Sequence, residues 1–228
     1  MPSIMPRLDK QALGLYLVFG PQDLRDHQTP EALIRAAVAG GVTCLQWRDK
    51  TAKASAPLPE RVRSTEPLQA LVRALGVPFL INDDVDLAAA LQADGVHLGQ
   101  DDLHPYRARQ RLGTGSIIGW SVGTPTERER LDRLLHDHPE TIDYIGVGPA
   151  FPTGTKSDAG AALGAAGINA VVAGLRLPRV AIGGINLDTL PQLADARVDG
   201  VAVVSALTRS ADPKTAAQAL RAVHTFAP

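Results

Sequence analysis

Two short apolar runs in this chain end in adjacent carboxylates. Phe79-Leu80-Ile81 leads into Asn82-Asp83-Asp84, and Val96-His97-Leu98 leads through Gly99-Gln100 into Asp101-Asp102. A buried charge is costly unless it is paired or bound to a metal, so packing alone gives no reason for two such pairs. If the two run-ends face one another, their carboxylates can hold a hard cation such as Mg²⁺, which prefers oxygen ligands and substrate phosphates. The competing use of an Asp at 84, or at 101 or 102, is to cap the helix that follows.

Other polar groups also stand at the ends of apolar runs. In Gln46-Trp47-Arg48-Asp49-Lys50, strand alternation puts Gln46, Arg48 and Lys50 on one side. Arg offers a planar fork to phosphate, Lys a point charge, and Gln both a donor and an acceptor. The alternative is a plain surface pair of Arg48 with Asp49. Gly148-Pro149-Ala150-Phe151-Pro152-Thr153-Gly154-Thr155-Lys156 can wrap an anion with hydroxyls, backbone N–H groups and a cation. It lacks Walker spacing, and a flexible loop would read much the same. Ile182-Gly183-Gly184 and Val204-Ser205 stand where barrels often place a phosphate cup. There the glycines would admit the anion, and Ser205 would donate its hydroxyl and N–H. A tight turn followed by a helix cap is the alternative. No Ser-His-Asp or Cys-His arrangement stands out.

The elements that must position these groups alternate. Strands are expected at 13–19, 42–47, 79–81, 95–98, 117–120, 144–147, 179–182 and 200–204. Helices are expected at 30–39, 66–75, 85–91, 105–113, 125–138, 165–175, 187–195 and 213–224. The segment 49–59 has no periodicity and reads as a mobile loop. Alternation implies parallel strands with right-handed crossovers. The continuously apolar strands imply that both sheet faces are covered. The α/β class that results is a single (β/α)₈ TIM barrel, one domain over 1–228 with its core at about 13–224. An open doubly wound sheet would want a Gly-rich dinucleotide turn after the first strand, and Phe19-Gly20-Pro21-Gln22 is not one.

Composition excludes several classes. With 228 residues, 45% hydrophobic and 21% charged, the chain reads as an ordinary globule. A formal net charge of -1 gives no sign of a nucleic-acid or membrane surface. The single cysteine, Cys44, lies in an apolar run and reads as a buried, inert thiol. The six histidines lack zinc-ligand spacing, and His136 and His138 are expected at a helix C-terminus. There is no apolar run near the ~20 residues of a membrane span, and no signal-peptide h-region at Met1 to Lys10. The expected compartment is therefore the cytoplasm.

Taken together and in order, these motifs resemble the thiamine phosphate synthase family: Gln46 to Lys50, Asn82-Asp83-Asp84, Ala93-Asp94-Gly95-Val96-His97-Leu98-Gly99-Gln100-Asp101-Asp102, Gly148-Pro149 with Thr153 to Lys156, Gly183-Gly184, and Val204-Ser205. The resemblance runs from about Leu13 to Asp212. It implies a (β/α)₈ barrel that joins 4-amino-2-methyl-5-hydroxymethylpyrimidine diphosphate to a thiazole phosphate with Mg²⁺, releasing diphosphate. By position, Asp83 and Asp102 match the metal ligands, which leaves Asp84 and Asp101 as caps. Gln46, Trp47, Arg48, Asp49, Lys50, Asn82, Ser121 and Lys156 match contacts to the pyrimidine diphosphate. Thr153, Gly154, Thr155, Gly184, Val204 and Ser205 match contacts to the thiazole phosphate. Arg48, Lys50, Lys156 and Ser121 would act in the chemical step. The implied partners are small molecules; assembly into a homo-oligomer stays open.

Some residues depart from the family pattern. Gly123 stands where a His is usual, which would widen the pocket or remove a contact; Trp47 replaces an aliphatic residue, and 51–63 diverges most. A tautomerase-like barrel acting on a phosphorylated thiazole, and a non-catalytic phosphate-binding barrel, are the competing functions. Neither needs a metal pair together with a diphosphate clamp.

Overall fold

The apolar runs pair in chain order and then close on themselves. In the computed structural model, which describes residues 8–154 and 160–223, the strands are β1 (Leu15–Phe19), β2 (Cys44–Trp47), β3 (Phe79–Asn82), β4 (Gly95–Leu98), β5 (Ile117–Ser121), β6 (Tyr144–Val147), β7 (Arg179–Ile182) and β8 (Gly200–Val203). Every neighbouring pair is parallel, and β1 returns to β8 with Leu15 opposite Val201. Closure makes this a (β/α)₈ barrel and excludes the open sheet. Alternation then sorts the side chains. Leu17, Phe19, Leu45, Trp47, Ile81 and Trp120 bury in the shell between strands and helices. Tyr16, Val18, Cys44, Leu80, Tyr144 and Val180 fill the barrel. Both faces are buried, which is why the strands read as unbroken apolar runs. Cys44 is buried as expected, and burial pushes its thiol pKa well up.

The helices are α1 (Pro30–Ala39), α2 (Leu58–Leu75), α3 (Val85–Leu91), α4 (Pro105–Leu112), α5 (Pro125–Asp137), α6 (Gly164–Val172), α7 (Ser205–Thr208) and α8 (Pro213–Val223). Thr29 caps α1 and Thr124 caps α5, each through its hydroxyl. Three expectations differ from the outcome. Helix α2 begins at Leu58, two turns before the expected start, and carries Pro67 inside it. Pro67 hid this extension, because an interior proline normally marks a helix boundary. The segment 49–57 is correspondingly shorter than expected and contains a 3-10 turn at Ala52–Ser55. The helix expected at 187–195 is only a 3-10 turn, Leu190–Leu193. There the Asn186 side chain accepts from the N–H groups of Asp188 and Thr189, and Pro191 lacks a donor. Among the described residues no helix is long and apolar enough to cross a membrane.

The N-terminal end of the barrel is closed by one device used four times. Thr43, Asp94, Asp143 and Asp199 each precede an even-numbered strand. Each donates its backbone N–H to the preceding odd strand and accepts, on its side chain, an N–H of that same strand: Leu15, Phe79, Ile118 and Arg179 respectively. Arg109 of α4 adds an ion pair to Asp143 at 2.6 Å, and Arg179 one to Asp199 at 3.0 Å. Unpaired strand ends are thereby satisfied at this end. The polar motifs left without a structural duty gather at the other end.

Candidate active site

Helix α3 follows β3 so tightly that Asp83 takes a left-handed backbone, φ 62°. Such a conformation is costly for a residue other than glycine, though Asp and Asn bear it best. It is held by the Asp83 N–H donating to the His97 carbonyl at 2.9 Å. The result turns the Asp83 carboxylate to the mouth, where Lys50 Nζ lies 2.7 Å from its Oδ2. On the neighbouring strand end, Asp102 folds back so that its Oδ2 accepts the Gly99 N–H at 2.6 Å. A Cβ on Gly99 would stand 2.9 Å from that oxygen, a contact that a small shift of the carboxylate relieves. The Asp83 and Asp102 carboxyls are within hydrogen-bonding reach of each other. Burial and the Asp83 carboxyl push Asp102 up to about 6, against the Gly99 N–H. Burial also opposes charge on Asp83, but its bonds to Asp102 and Lys50 outweigh that and hold it below its ordinary value. Two carboxylates set this close, the charge of one opposing charge on the other, are a pair that a divalent cation suits. Among the described residues no group of three His, Cys, Asp or Glu side chains gathers as a metal cage. A cation here would complete its shell with substrate and water oxygens, the habit of Mg²⁺.

The neighbouring carboxylates have other duties. Asp84 caps α3, its Oδ1 accepting from Leu87 N at 3.0 Å, and its Oδ2 is ion-paired with Arg61 of α2. Asp101 is exposed, and the cap of α4 is His104, so the expected capping role of Asp101 is corrected. Asp49 accepts from the Thr51 N–H and hydroxyl at 2.8 and 2.7 Å, closing the turn after β2. A cavity of about 350 Å³ opens on this side, with Lys50, Arg61, Ser64, Asn82 and Asp83 among its walls.

Gln46 lies inside the barrel, its Nε2 on the Tyr16 hydroxyl, and Arg48 is half-buried just past the end of β2. Trp47 faces the other way, edge-on to Phe19 with ring centroids 5.4 Å apart. Asn82 and Ser121 stand at the ends of β3 and β5. After β6 the backbone continues along β7: Ala150 N–H donates to Ile182 O and Phe151 N–H to Gly183 O. This brings Thr153 and Gly154 beside the β7 end, while Thr155 and Lys156 lie outside the described residues. Gly184 has φ 65°, and a Cβ there would stand 2.6 Å from the Pro152 carbonyl. The two loops meet only because position 184 has no side chain. Val204 and Ser205 follow on the adjacent β8, Ser205 opening α7. Gly123 makes a similar close approach, since a Cβ would stand 2.2 Å from the Gly148 carbonyl. The departure at 123 thus draws the β5 and β6 loops together.

Three residues that the sequence reading passed over lie directly beneath the mouth. His97 Nε2 is 2.9 Å from Ser121 Oγ, and its Nδ1 is 2.8 Å from the Tyr144 hydroxyl. That hydroxyl is 3.0 Å from the Tyr16 hydroxyl, which accepts from Gln46 Nε2 at 2.6 Å. The signal available in the sequence was glycine within strands. A Cβ at Gly119 would stand 2.2 Å from the Tyr144 ring, and one at Gly146 3.0 Å from the His97 ring.

The chain is similar to known proteins over most of its length. The family model described as thiamine monophosphate synthase matches residues 15–207. The chain is 48% identical over 210 residues to a thiamine-phosphate synthase of Xanthobacter autotrophicus, covering 92% of this chain and 94% of that one. It is 43% identical over 211 residues to one from Azorhizobium caulinodans, with the same coverage of each. Among solved structures, a thiamine phosphate pyrophosphorylase from Pyrococcus furiosus superposes with a TM-score of 0.78 at 32% identity, over 94% of this chain and 96% of that one. With the family model spanning the whole barrel from β1 to α7, the chain belongs to the thiamine monophosphate synthase family.

Proposed function

We propose that this barrel, as a single domain, joins 4-amino-2-methyl-5-hydroxymethylpyrimidine diphosphate to a thiazole phosphate through a step with cation character, using Mg²⁺ at Asp83 and Asp102. Family membership makes the chain a transferase of thiamine biosynthesis acting on small molecules. The observation that carries the finer reading is the facing carboxylate pair with Lys50 at 2.7 Å from Asp83. Neither a tautomerase nor a binding module has a use for it.

In this reading Arg48, Lys50 and Lys156 clamp the diphosphate, and Asn82 and Ser121 orient it. The carbon–oxygen bond to diphosphate breaks with the electron pair leaving on oxygen. The aminopyrimidine supports the positive charge, and the thiazole nitrogen then attacks that carbon, so no protein nucleophile is required. A bound Mg²⁺ would supply charge neutralisation on the departing oxygens. The protein's own cations would stabilise the same developing charge. Gln46, with Trp47 and Asp49 behind it, shapes the pyrimidine side. Thr153, Gly154, Thr155, Gly184, Val204 and Ser205 hold the thiazole phosphate on the far side of the mouth. Holding the two substrates together contributes much of the remaining rate. The proposed compartment is the cytoplasm.

The test is purified protein with both substrates, with and without Mg²⁺, followed by product analysis. Thiamine phosphate is expected only with the metal. No thiamine phosphate, together with turnover of the thiazole phosphate alone, would transfer the assignment to a tautomerase.

A further inference from the structure

Beneath the mouth a hydrogen-bonded chain crosses the barrel through five strands: Gln46 of β2, Tyr16 of β1, Tyr144 of β6, His97 of β4 and Ser121 of β5. Its two ends are groups that the proposed function sets against the pyrimidine diphosphate; between them Tyr16 and Tyr144 are buried and His97 is partly buried. We infer that this chain is polarised in one direction, so that Tyr16, Tyr144 and His97 act as positioning residues. They make Ser121 present its hydroxyl proton to the ligand and Gln46 its amide oxygen.

The direction follows from counting protons. An amide nitrogen only donates, so Gln46 Nε2, 2.6 Å from the Tyr16 oxygen, gives that oxygen a hydrogen bond. Tyr16 is 1% exposed, and its own proton must find an acceptor inside the barrel. The Tyr144 oxygen is 3.0 Å away; the Cys44 thiol, also within reach, is a weaker acceptor. Burial holds both phenols far above their ordinary pKa, so both keep their protons. Tyr144, accepting from Tyr16, gives its proton to His97 Nδ1 at 2.8 Å. Nδ1 is then an acceptor, the ring proton sits on Nε2, and Nε2–H donates to Ser121 Oγ at 2.9 Å. Ser121 has its oxygen engaged from below and its proton left for the mouth. The opposite direction from Tyr144 to Ser121 needs the Tyr16 oxygen to accept from both Gln46 and Tyr144 and the Tyr16 proton to go to the Cys44 thiol, the weaker acceptor. In that case Ser121 gives its proton downward to His97.

The consequence rests on the proposed reading of the site. A hydroxyl proton aimed at the diphosphate gains most when the departing oxygen is most negative. An amide oxygen facing the exocyclic amino group gains most when the ring is cationic. Both ends therefore favour the transition state over the bound substrate, and the effect belongs in kcat.

The test uses the full chain labelled with ¹⁵N-histidine, the His97 signals being assigned by their loss in His97→Gln. In the wild-type protein, neutral His97 is expected as the Nε2–H tautomer. In Tyr144→Phe, which keeps the ring and removes the link, the tautomers should mix. There kcat should fall about tenfold, the order contributed by one hydrogen bond to a charged oxygen, with KM for the pyrimidine diphosphate nearly constant. Tyr16→Phe should move both readouts the same way, and it serves if Tyr144→Phe does not fold. An Nδ1–H tautomer in the wild type overturns the inference. So does a variant that leaves both the tautomer and kcat unchanged. The expected spectrum in a protein that makes no thiamine phosphate supports the polarity and removes only the functional reading.

Discussion

Asp83 combines a strained backbone with a proposed metal-binding carboxylate, and the two can be separated. Asn bears φ 62° nearly as well as Asp, so Asp83→Asn should keep the fold while removing the charge. Coupling activity is expected to fall by about 100-fold or more, the scale of losing a transition-state electrostatic partner. The apparent Mg²⁺ requirement should rise, and the melting temperature should stay within a few degrees. Asp102→Asn should act alike, because in the proposed reading both carboxylates serve one cation. A rate-against-Mg²⁺ titration of each variant beside its thermal melt checks this; near-normal activity at low Mg²⁺ would remove the metal assignment. By contrast, Asp84→Asn should lower stability by roughly 1 kcal/mol, since it weakens the bond to Arg61 and partly keeps the cap. The distinction between neighbours was only half legible in the sequence. Two adjacent carboxylates at a strand end pointed to chemistry, but residue types alone did not say which one the left-handed turn would swing into the mouth.

At the scale of elements, the strands were the most legible part. Burial on both faces leaves an apolar run that needs no partner to be recognised. Helix α2 was less so, because Pro67 sits within a pattern it would ordinarily end. Its first turns hang on Arg61, which reaches Asp84 and donates to the Ala56 carbonyl at 2.9 Å. Arg61→Ala should therefore leave the barrel intact and loosen 49–62. Faster proteolytic cutting there, with KM for the pyrimidine diphosphate raised a few-fold, is the expected result of limited digestion and kinetics. The chain beneath the mouth was not legible, since its five members come from five strands and no local spacing relates them.

The N-terminal capping device carries a pH signature. Burial pushes the Asp199 carboxyl up, but the Arg179 side chain and N–H and the Lys10 ammonium outweigh it and hold the pKa below its ordinary value. A carboxylate depressed on folding contributes stability that is present above its unfolded pKa of about 4 and lost as pH falls through the folded value. Asp199→Asn should cost roughly 1–3 kcal/mol at neutral pH. The gap from wild type should narrow as the medium is acidified below about pH 4. Denaturant melts of both proteins at several pH values test it; a gap independent of pH would mean that the charge contributes nothing.

At the scale of the whole molecule, the barrel separates stability from chemistry by end. The N-terminal end spends its carboxylates on strand termini, whereas the C-terminal end sets Asp83, Asp102 and the Lys50 ammonium together at the mouth. The mouth must hold two phosphorylated substrates, yet the chain carries a formal net charge of only -1. In the proposed reading attraction is therefore local, and Arg48, Lys50 and Lys156 are the cations that act where charge builds. If bond breaking to diphosphate runs ahead of bond making to the thiazole, Lys156→Ala should lower kcat by roughly 10- to 100-fold and change KM far less. Its charge is worth most when the leaving oxygens are most negative. The same order of events makes the rate depend on the pyrimidine's capacity to bear positive charge. An electron-withdrawing substituent on that ring should slow coupling strongly, while the diphosphate still binds through the unchanged clamp. A concerted displacement led by the thiazole nitrogen would respond weakly or in the opposite sense. Single-turnover rates for a substituted pyrimidine diphosphate, measured with wild type and with Lys156→Ala, separate the two. In a dissociative reaction the substituent and the lost lysine both slow the chemical step, whereas under a concerted one the lysine matters and the substituent acts weakly or in the opposite sense.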